Sequence, residues 1–154
     1  MKLSRRSVLA GAIGAGAFTS YYAGWTAADA AAERQPLRIP PLIDARKEGN
    51  AVALRVQAGA TEFFPGRASA SLGYSGSYLG PSIRIHQGDN VEIAVTNKLK
   101  EDTTVHWHGL LIPAELDGGP HQIIAPGDTW RPRLPFPQPA ATLFYHSHIH
   151  GRTG

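Results

Sequence analysis

The stretch Thr104-Val105-His106-Trp107-His108-Gly109 decides how this sequence is interpreted, because a second His-x-His follows at Tyr145-His146-Ser147-His148. In an extended strand, residues i and i+2 point to the same face. Each pair therefore presents two imidazoles on one side of its strand, and two neighbouring strands would bring all four rings together. Neutral imidazole is a ligand for copper, zinc, iron and nickel. The two pairs predict a metal site without identifying its metal.

The alternative interpretation is that these histidines are partly buried, hydrogen-bonded residues that bind no metal. Single His-x-His pairs occur by chance on ordinary strands. Two pairs, each next to an aromatic residue and drawn from only seven histidines, favour the metal site. Cysteine is absent from the sequence. Its absence excludes disulfides, cysteine-ligated zinc, thiol catalysis and any copper site that needs a thiolate.

Short apolar alternations between turn residues predict an all-β domain. The 17 glycines and 12 prolines supply turns for many short strands. Residues 66–80 are predicted to be turns around strand fragments, and two of the strands, 82–86 and 91–97, are predicted to pair as a hairpin or meander. Seven or eight strands with no helix longer than a turn or two indicate a β-sandwich, of Greek-key type. The predicted strands are 51–58, 61–64, 82–86, 91–97, 121–124, 129–134 and 141–148.

Residues 1–30 are predicted to be an export signal. Basic residues begin the segment, an apolar glycine- and alanine-rich stretch follows at 8–18, and Ala28-Asp29-Ala30 fits the small-x-small cleavage pattern. Ser4-Arg5-Arg6-Ser7-Val8-Leu9 resembles the twin-arginine signal, with Val8 where that signal usually has phenylalanine. The alternative, an uncleaved membrane anchor, is disfavoured because the apolar stretch is short and glycine-rich.

This signal predicts the twin-arginine export machinery as a partner and a periplasmic or otherwise exported location, with no stable membrane insertion after cleavage. Residues 31–50 are predicted to be an extended lead-in with little regular structure. The formal net charge of +3 falls to about +1 when residues 1–30 are removed. Because no basic stripe with interleaved aromatic residues remains, no nucleic-acid partner is expected.

Residues 51–154 resemble the first cupredoxin, or plastocyanin-like, domain of multicopper oxidases. The similarity is greatest to bacterial copper-efflux cuprous oxidases and their bilirubin-oxidase-like relatives. It implies a cupredoxin-like Greek-key β-sandwich, a single domain that is incomplete at its C-terminal end. Besides the two histidine pairs, the matching stretches are 80–84, 88–89, 115–120, 138–142 and 144–151.

The resemblance also implies roles for individual residues. His106 would bind the type-two copper, and His108, His146 and His148 would bind the type-three copper pair. Asp117 corresponds to an acidic residue that assists proton delivery to bound oxygen. Trp107 is expected to pack in the core. Three further histidines are expected not to be ligands, namely His86, His121 and His150.

The function implied is that of an exported oxidase that couples oxidation of cuprous ion or phenolic substrates to reduction of oxygen to water. Such oxidases have about three cupredoxin domains, and the second and third would be partners that complete the copper cluster and build the type-one site. This chain alone is therefore expected to be inactive. Two alternatives remain: a non-enzymatic exported copper-binding protein, and a cell-division protein of the multicopper-oxidase type. Copper-free relatives of the second kind have lost the histidines.

Overall fold

The computed structural model describes residues 37–152, so the predicted export signal lies outside the described residues. These residues form nine strands and one short 3-10 turn at Ala114–Leu116, and within 37–152 there is no α-helix. No helix in this range is long and apolar enough to cross a membrane. The strands are β1 (Leu42–Asp44), β2 (Ala51–Phe64), β3 (Arg67–Tyr74), β4 (Ser82–Arg84), β5 (Asn90–Asn97), β6 (His106–His108), β7 (Thr129–Trp130), β8 (Arg133–Pro135) and β9 (Phe144–His146).

The largest sheet is built around β2 and β5, which pair in parallel. β3 extends the sheet on the far side of β2 as its antiparallel neighbour. On the other side, β7 and β8 both pair antiparallel with β5. Two smaller two-stranded sheets accompany it: β1 pairs in parallel with β4, and β6 pairs antiparallel with β9.

Alternating apolar side chains of β2 and β5 form the core. Every second residue from 52 to 56 in β2 and from 91 to 95 in β5 is at most 4% exposed, because these side chains share one face of the sheet. Side chains from outside this sheet, including Ala45, Val105 and Trp107, join the same cluster. Full burial of a Val, Leu or Ile side chain stabilises the fold by about 1.5–3 kcal/mol. The alternating core residues are Val52, Leu54, Val56, Val91, Ile93 and Val95.

The sequence-based prediction of pairing was wrong for β4. Residues 82–84 pair with β1, in parallel, and not with β5. The described part of the predicted lead-in is correspondingly more ordered than expected, because it contains β1 and the fully buried Ala45. The turn after β1 is joined to the turn before β5 by a two-point ion pair between Arg46 and Asp89, with both N–O distances 2.9 Å.

Four other local predictions need correction. The strands predicted at 51–58 and 61–64 are one continuous strand, β2. Residues 67–74, predicted as turns around strand fragments, form the eight-residue β3. No strand forms at 121–124, where a single bridge joins Thr103 to Ile124. The predicted strand at 129–134 is divided into β7 and β8.

Candidate metal centre

The two histidine pairs lie on the adjacent strands β6 and β9. The register places His106 opposite His146 and Trp107 opposite Tyr145. Because side chains alternate along a strand, the histidines share one face while Trp107, only 4% exposed, packs into the core. The indole stacks on Trp130 with 6.3 Å between ring centroids, as expected for a packing residue.

Hydrogen bonds at one end of this strand pair fix its geometry. The backbone N–H of His148 donates to the buried hydroxyl of Thr104 at 2.7 Å. The hydroxyls of Thr103 and Ser147 lie 3.2 Å apart. These bonds hold the chain just before β6 against the chain just after β9, so both histidine pairs are anchored to the same two-stranded unit.

The four imidazole rings lie together, as the paired His-x-His pattern predicts. The centroid of the His106 ring is 5.4 Å from those of His108 and His146 and 5.3 Å from that of His148. The His146 ring lies 5.5 Å from that of His108 and 5.7 Å from that of His148. The ligand role of each of these residues stays a prediction.

Three of the four rings form a tighter group. One ring nitrogen from each of His106, His108 and His146 lies within 4.8 Å of the others, a spacing that could hold one metal ion. Within residues 37–152, this is the one such group of three or more histidine or acidic side chains. The ring of His148 lies close to these three rings, but His148 does not belong to the group. His86, His121 and His150 also lie outside it.

Backbone carbonyls determine which ring nitrogens can bind a metal. Nδ1 of His106 lies 2.9 Å from the carbonyl oxygen of Asp117, and Nδ1 of His146 lies 2.7 Å from that of Ser147. A carbonyl only accepts hydrogen bonds, so each Nδ1 carries the proton and each Nε2 keeps its lone pair. Nδ1 of His108 lies 3.3 Å from Nε2 of His146, within hydrogen-bond distance.

Asp117 is held against the cluster by its own backbone. Its carbonyl accepts from the N–H of Trp107 at 3.1 Å, and its carboxylate Oδ2 lies 3.2 Å from Nδ1 of His106. The next residue, Gly118, has φ +73°, and a Cβ there would meet the carbonyl oxygen of Val105 at 1.7 Å. Only glycine lets this segment approach β6 so closely. Asp117 thus lies beside His106, and its role in proton delivery stays a prediction.

One side of the cluster faces outward. His108 and His148 are exposed, whereas His106 and His146 are partly buried. The ring of Phe144, 58% exposed, stacks on His108 with 4.3 Å between centroids. Sequence reasoning did not assign this contact, although the alternation along β9 puts Phe144 on the same face as His146.

Gln138 supports the turn that follows His108. Its Oε1 accepts from the N–H of Leu111 at 2.7 Å, and its Nε2 donates to the carbonyl of Gly109 at 3.2 Å. One side chain thus bridges both ends of this turn. Gln138 lies within one of the matching stretches, but the residue pattern alone does not indicate which groups its amide contacts.

Comparison with known proteins identifies the family. A family model described as "Multicopper oxidase" matches residues 55–154. This chain belongs to the multicopper oxidase family. It is 42% identical over 118 residues to the multicopper oxidase mco of Staphylococcus aureus, covering 75% of this chain and 26% of that protein. It is also 40% identical over 126 residues to the cell division protein FtsP of Escherichia coli K12, covering 82% of this chain and 27% of the relative.

Solved structures show the same architecture. A bacterial laccase-like multi-copper oxidase, CueO from the lignin-degrading bacterium Ochrobactrum sp., superposes with a TM-score of 0.74 and 45% identity over 77% of this chain and 26% of that chain. A laccase from Pediococcus acidilactici gives a TM-score of 0.70 and 37% identity, over 76% and 26% of the two chains. The chain thus spans about a quarter of these relatives' length. The mostly-β, cupredoxin-like domain and its N-terminal place in the family are confirmed.

The donor set fits the metal of this family. Copper is bound well by imidazole nitrogens. His106 and His146 each present Nε2 while donating Nδ1–H to a carbonyl, which is the usual second contact of a metal-bound imidazole. The residues that would hold copper are therefore His106, His108 and His146, with His148 adjacent.

Proposed function

We propose that this chain is the N-terminal copper-binding domain of an exported multicopper oxidase and that it supplies four histidine ligands to a three-copper cluster. In this proposal His106 binds the type-two copper, and His108, His146 and His148 bind the type-three pair. The observation that carries the proposal is the group of three ring nitrogens within 4.8 Å of one another.

The chain's own residues have defined tasks in this function. The carbonyls of Asp117 and Ser147 hold His106 and His146 in the tautomer that leaves Nε2 free. The carboxylate of Asp117 lies beside the first of these rings, so we assign it the delivery of protons toward oxygen at the cluster. The chemistry that copper would supply here is one-electron transfer toward oxygen.

The reaction proposed for the complete protein is oxidation of cuprous ion or phenolic substrates, coupled to reduction of oxygen to water. It needs further cupredoxin domains as partners, because four histidines make up half of the ligand set and a chain without cysteine has no type-one site. The Ochrobactrum relative has oxidase activity towards lignin model compounds and lignosulfonate, which supports the phenolic class.

A cell-division role is the second candidate, favoured by 40% identity to FtsP over 82% of this chain. The two candidates differ in whether copper is needed. Retention of both histidine pairs supports the copper-binding role, because copper-free relatives with a division role are expected to lack them. A third role, as an exported copper sink without enzymatic activity, would use the same histidines.

Copper titration distinguishes the two copper-binding roles from the cell-division role. We expect the purified chain to bind copper(II), and His106→Ala to lower the affinity by about tenfold or more, since removing a supporting residue alone costs a metal site about 10–100-fold. The control, His121→Ala, removes an exposed histidine outside the group and should leave affinity unchanged. Affinity should also fall as the pH is lowered, because protons compete for imidazole. Equal losses in the two variants, or no copper binding, would contradict the proposal.

A further inference from the structure

We propose that Thr104 is a positioning residue of the metal site, because its hydroxyl fixes the backbone of His148 and so places that ring beside the other three. The inference rests on the proposed copper binding and adds to it a residue that acts on the site without touching the metal. It starts from the hydrogen bond that the backbone N–H of His148 donates to the Thr104 hydroxyl at 2.7 Å.

The backbone pairing that aligns the two histidine pairs stops short of His148. β6 begins at His106 and β9 ends at His146, the residue opposite it. Two residues further along the same register, Thr104 comes opposite His148. There the N–H of His148 donates to a side chain and not to a backbone carbonyl. The Thr104 hydroxyl therefore takes the place that a carbonyl of the neighbouring strand has in an antiparallel ladder.

The Thr104 hydroxyl is a rigid acceptor. The side chain is fully buried, at 0% exposure, so its surroundings hold it in place. Threonine is branched at Cβ, which restricts rotation about its first side-chain bond. Beside it, the hydroxyls of Thr103 and Ser147 lie 3.2 Å apart and join the same two segments of chain. The position of the His148 backbone is thus set by the folded core.

The backbone position of His148 decides where its ring can reach. A histidine side chain turns about only two bonds, and this ring lies with its centroid 5.3 Å from that of His106 and 5.7 Å from that of His146. Without the hydroxyl, the N–H of His148 would face a methyl group and would need water as its acceptor. Because His148 is exposed, its backbone can move outward to reach water, and the ring would then leave the other histidines.

Two substitutions separate the hydroxyl of Thr104 from its packing. Thr104→Val keeps the branched shape and removes the hydroxyl, whereas Thr104→Ser keeps the hydroxyl and removes the methyl group. In the copper-free chain, we expect the amide of His148 to exchange its hydrogen about threefold to tenfold faster in Thr104→Val, the value of one neutral hydrogen bond, and at an unchanged rate in Thr104→Ser. The amide of Trp107, which donates to the carbonyl of Asp117, should stay protected in both variants.

Copper titration measures the consequence for the site. Thr104→Val should weaken copper binding by about tenfold, the lower end of what loss of a supporting residue costs a metal site, and Thr104→Ser should restore it. The matched control is Thr61→Val. Thr61 is also a buried threonine, 5% exposed, and its hydroxyl lies 3.0 Å from that of Ser77, away from the histidines. That variant should bind copper normally.

A double variant shows whether Thr104 acts through His148. When His148→Ala is already present, adding Thr104→Val should cause no further loss of copper affinity, because the ring that the hydroxyl positions is gone. Urea unfolding of every variant shows that the chain is folded. It also shows whether copper affinity merely follows stability, which a purely structural role would require.

The outcomes separate this inference from the proposed function. Equal losses of copper affinity in Thr104→Val and Thr61→Val, or a further loss in the double variant, overturn the positioning role. Unchanged copper binding in Thr104→Val or in His148→Ala, with the loss in His106→Ala retained, also overturns it and leaves copper binding by the other three histidines intact. Absence of copper binding by the unchanged chain overturns both.

Discussion

At the scale of single residues, the cluster depends on one backbone contact as much as on its histidines. The carbonyl of Asp117 accepts from both the Nδ1–H of His106 and the N–H of Trp107. That carbonyl stays in place because Gly118 approaches the backbone of Val105 with no room for a side chain. The glycine therefore acts on the metal site through Asp117, without touching the metal.

Gly118→Ala should destabilise the protein and weaken copper binding. A non-glycine residue at positive φ costs about 1–2 kcal/mol, and overpacking adds roughly 1–3 kcal/mol, so we expect a total of roughly 2–5 kcal/mol. Urea unfolding measures the stability, and copper titration measures the effect on His106.

Gly127→Ala is the matched control for this substitution. Gly127 also has positive φ, +86°, but a Cβ there would meet no heavy atom within 4 Å. The Gly127→Ala variant should lose only the stability that a non-glycine residue at positive φ costs, and it should bind copper normally. Equal destabilisation of the two variants would show that the contact with Val105 contributes nothing.

The sequence predicts some of these residue-level features and not others. Two His-x-His pairs were enough to predict that the rings lie together, because alternation along a strand is a local rule. The separation of His148 from the group of three was not predictable, since it depends on ring rotations and on bonds such as that between His146 Nδ1 and Ser147. Those contacts form only in the folded domain.

At the scale of elements, strand positions were more predictable than strand pairing. Alternating Val, Leu and Ile residues correctly located β5 and the first half of β2. β3 was missed because its Ser, Ala and Gly residues carry no clear apolar period. The pairing of β4 with β1 joins segments about forty residues apart, and no local pattern encodes which of two possible neighbours a short strand takes.

The ion pair between Arg46 and Asp89 should make this junction sensitive to acid. The hydrogen bond from the Arg46 guanidinium lowers the pKa of Asp89 below its ordinary value of 3.8. A carboxylate with a lowered folded-state pKa stabilises the fold above the unfolded-state pKa, and that contribution is lost as the pH falls through the folded-state pKa. Arg46→Gln should therefore lower the urea midpoint more at pH 7 than at pH 2.

Arg131→Gln is a suitable comparison for the ion-pair variant. Arg131 lies 3.9 Å from Glu92, at the limit of an ion pair, and the arginine is well exposed. Such an exposed ion pair contributes about 0–1 kcal/mol to the free energy of unfolding. We expect almost no change in its urea midpoint at either pH. A loss in Arg46→Gln that is the same at pH 7 and pH 2 would mean that packing, and not charge, holds the junction.

At the scale of the whole molecule, the metal site exists only after the chain has folded. The two histidine pairs are about forty residues apart in sequence and meet through β6 and β9. The sheet that supports them includes a parallel pairing of β2 with β5, which also forms across a long stretch of chain. These contacts are absent from an unfolded chain, so the chain cannot hold a metal at this site while it crosses a membrane unfolded.

This dependence on folding agrees with a twin-arginine signal, because that route carries folded proteins. We expect Arg5→Lys with Arg6→Lys to retain the protein in the cytoplasm, since the export machinery reads the arginine pair as an address. Immunoblotting of periplasmic and cytoplasmic fractions measures the effect. The control, Arg34→Lys with Arg38→Lys, makes the same exchange after the predicted cleavage site and should be exported normally. Normal export of the first variant, or normal export of the unchanged protein in cells without the twin-arginine pore, would indicate the general secretory route. In that case copper could be acquired only after folding outside the cytoplasm.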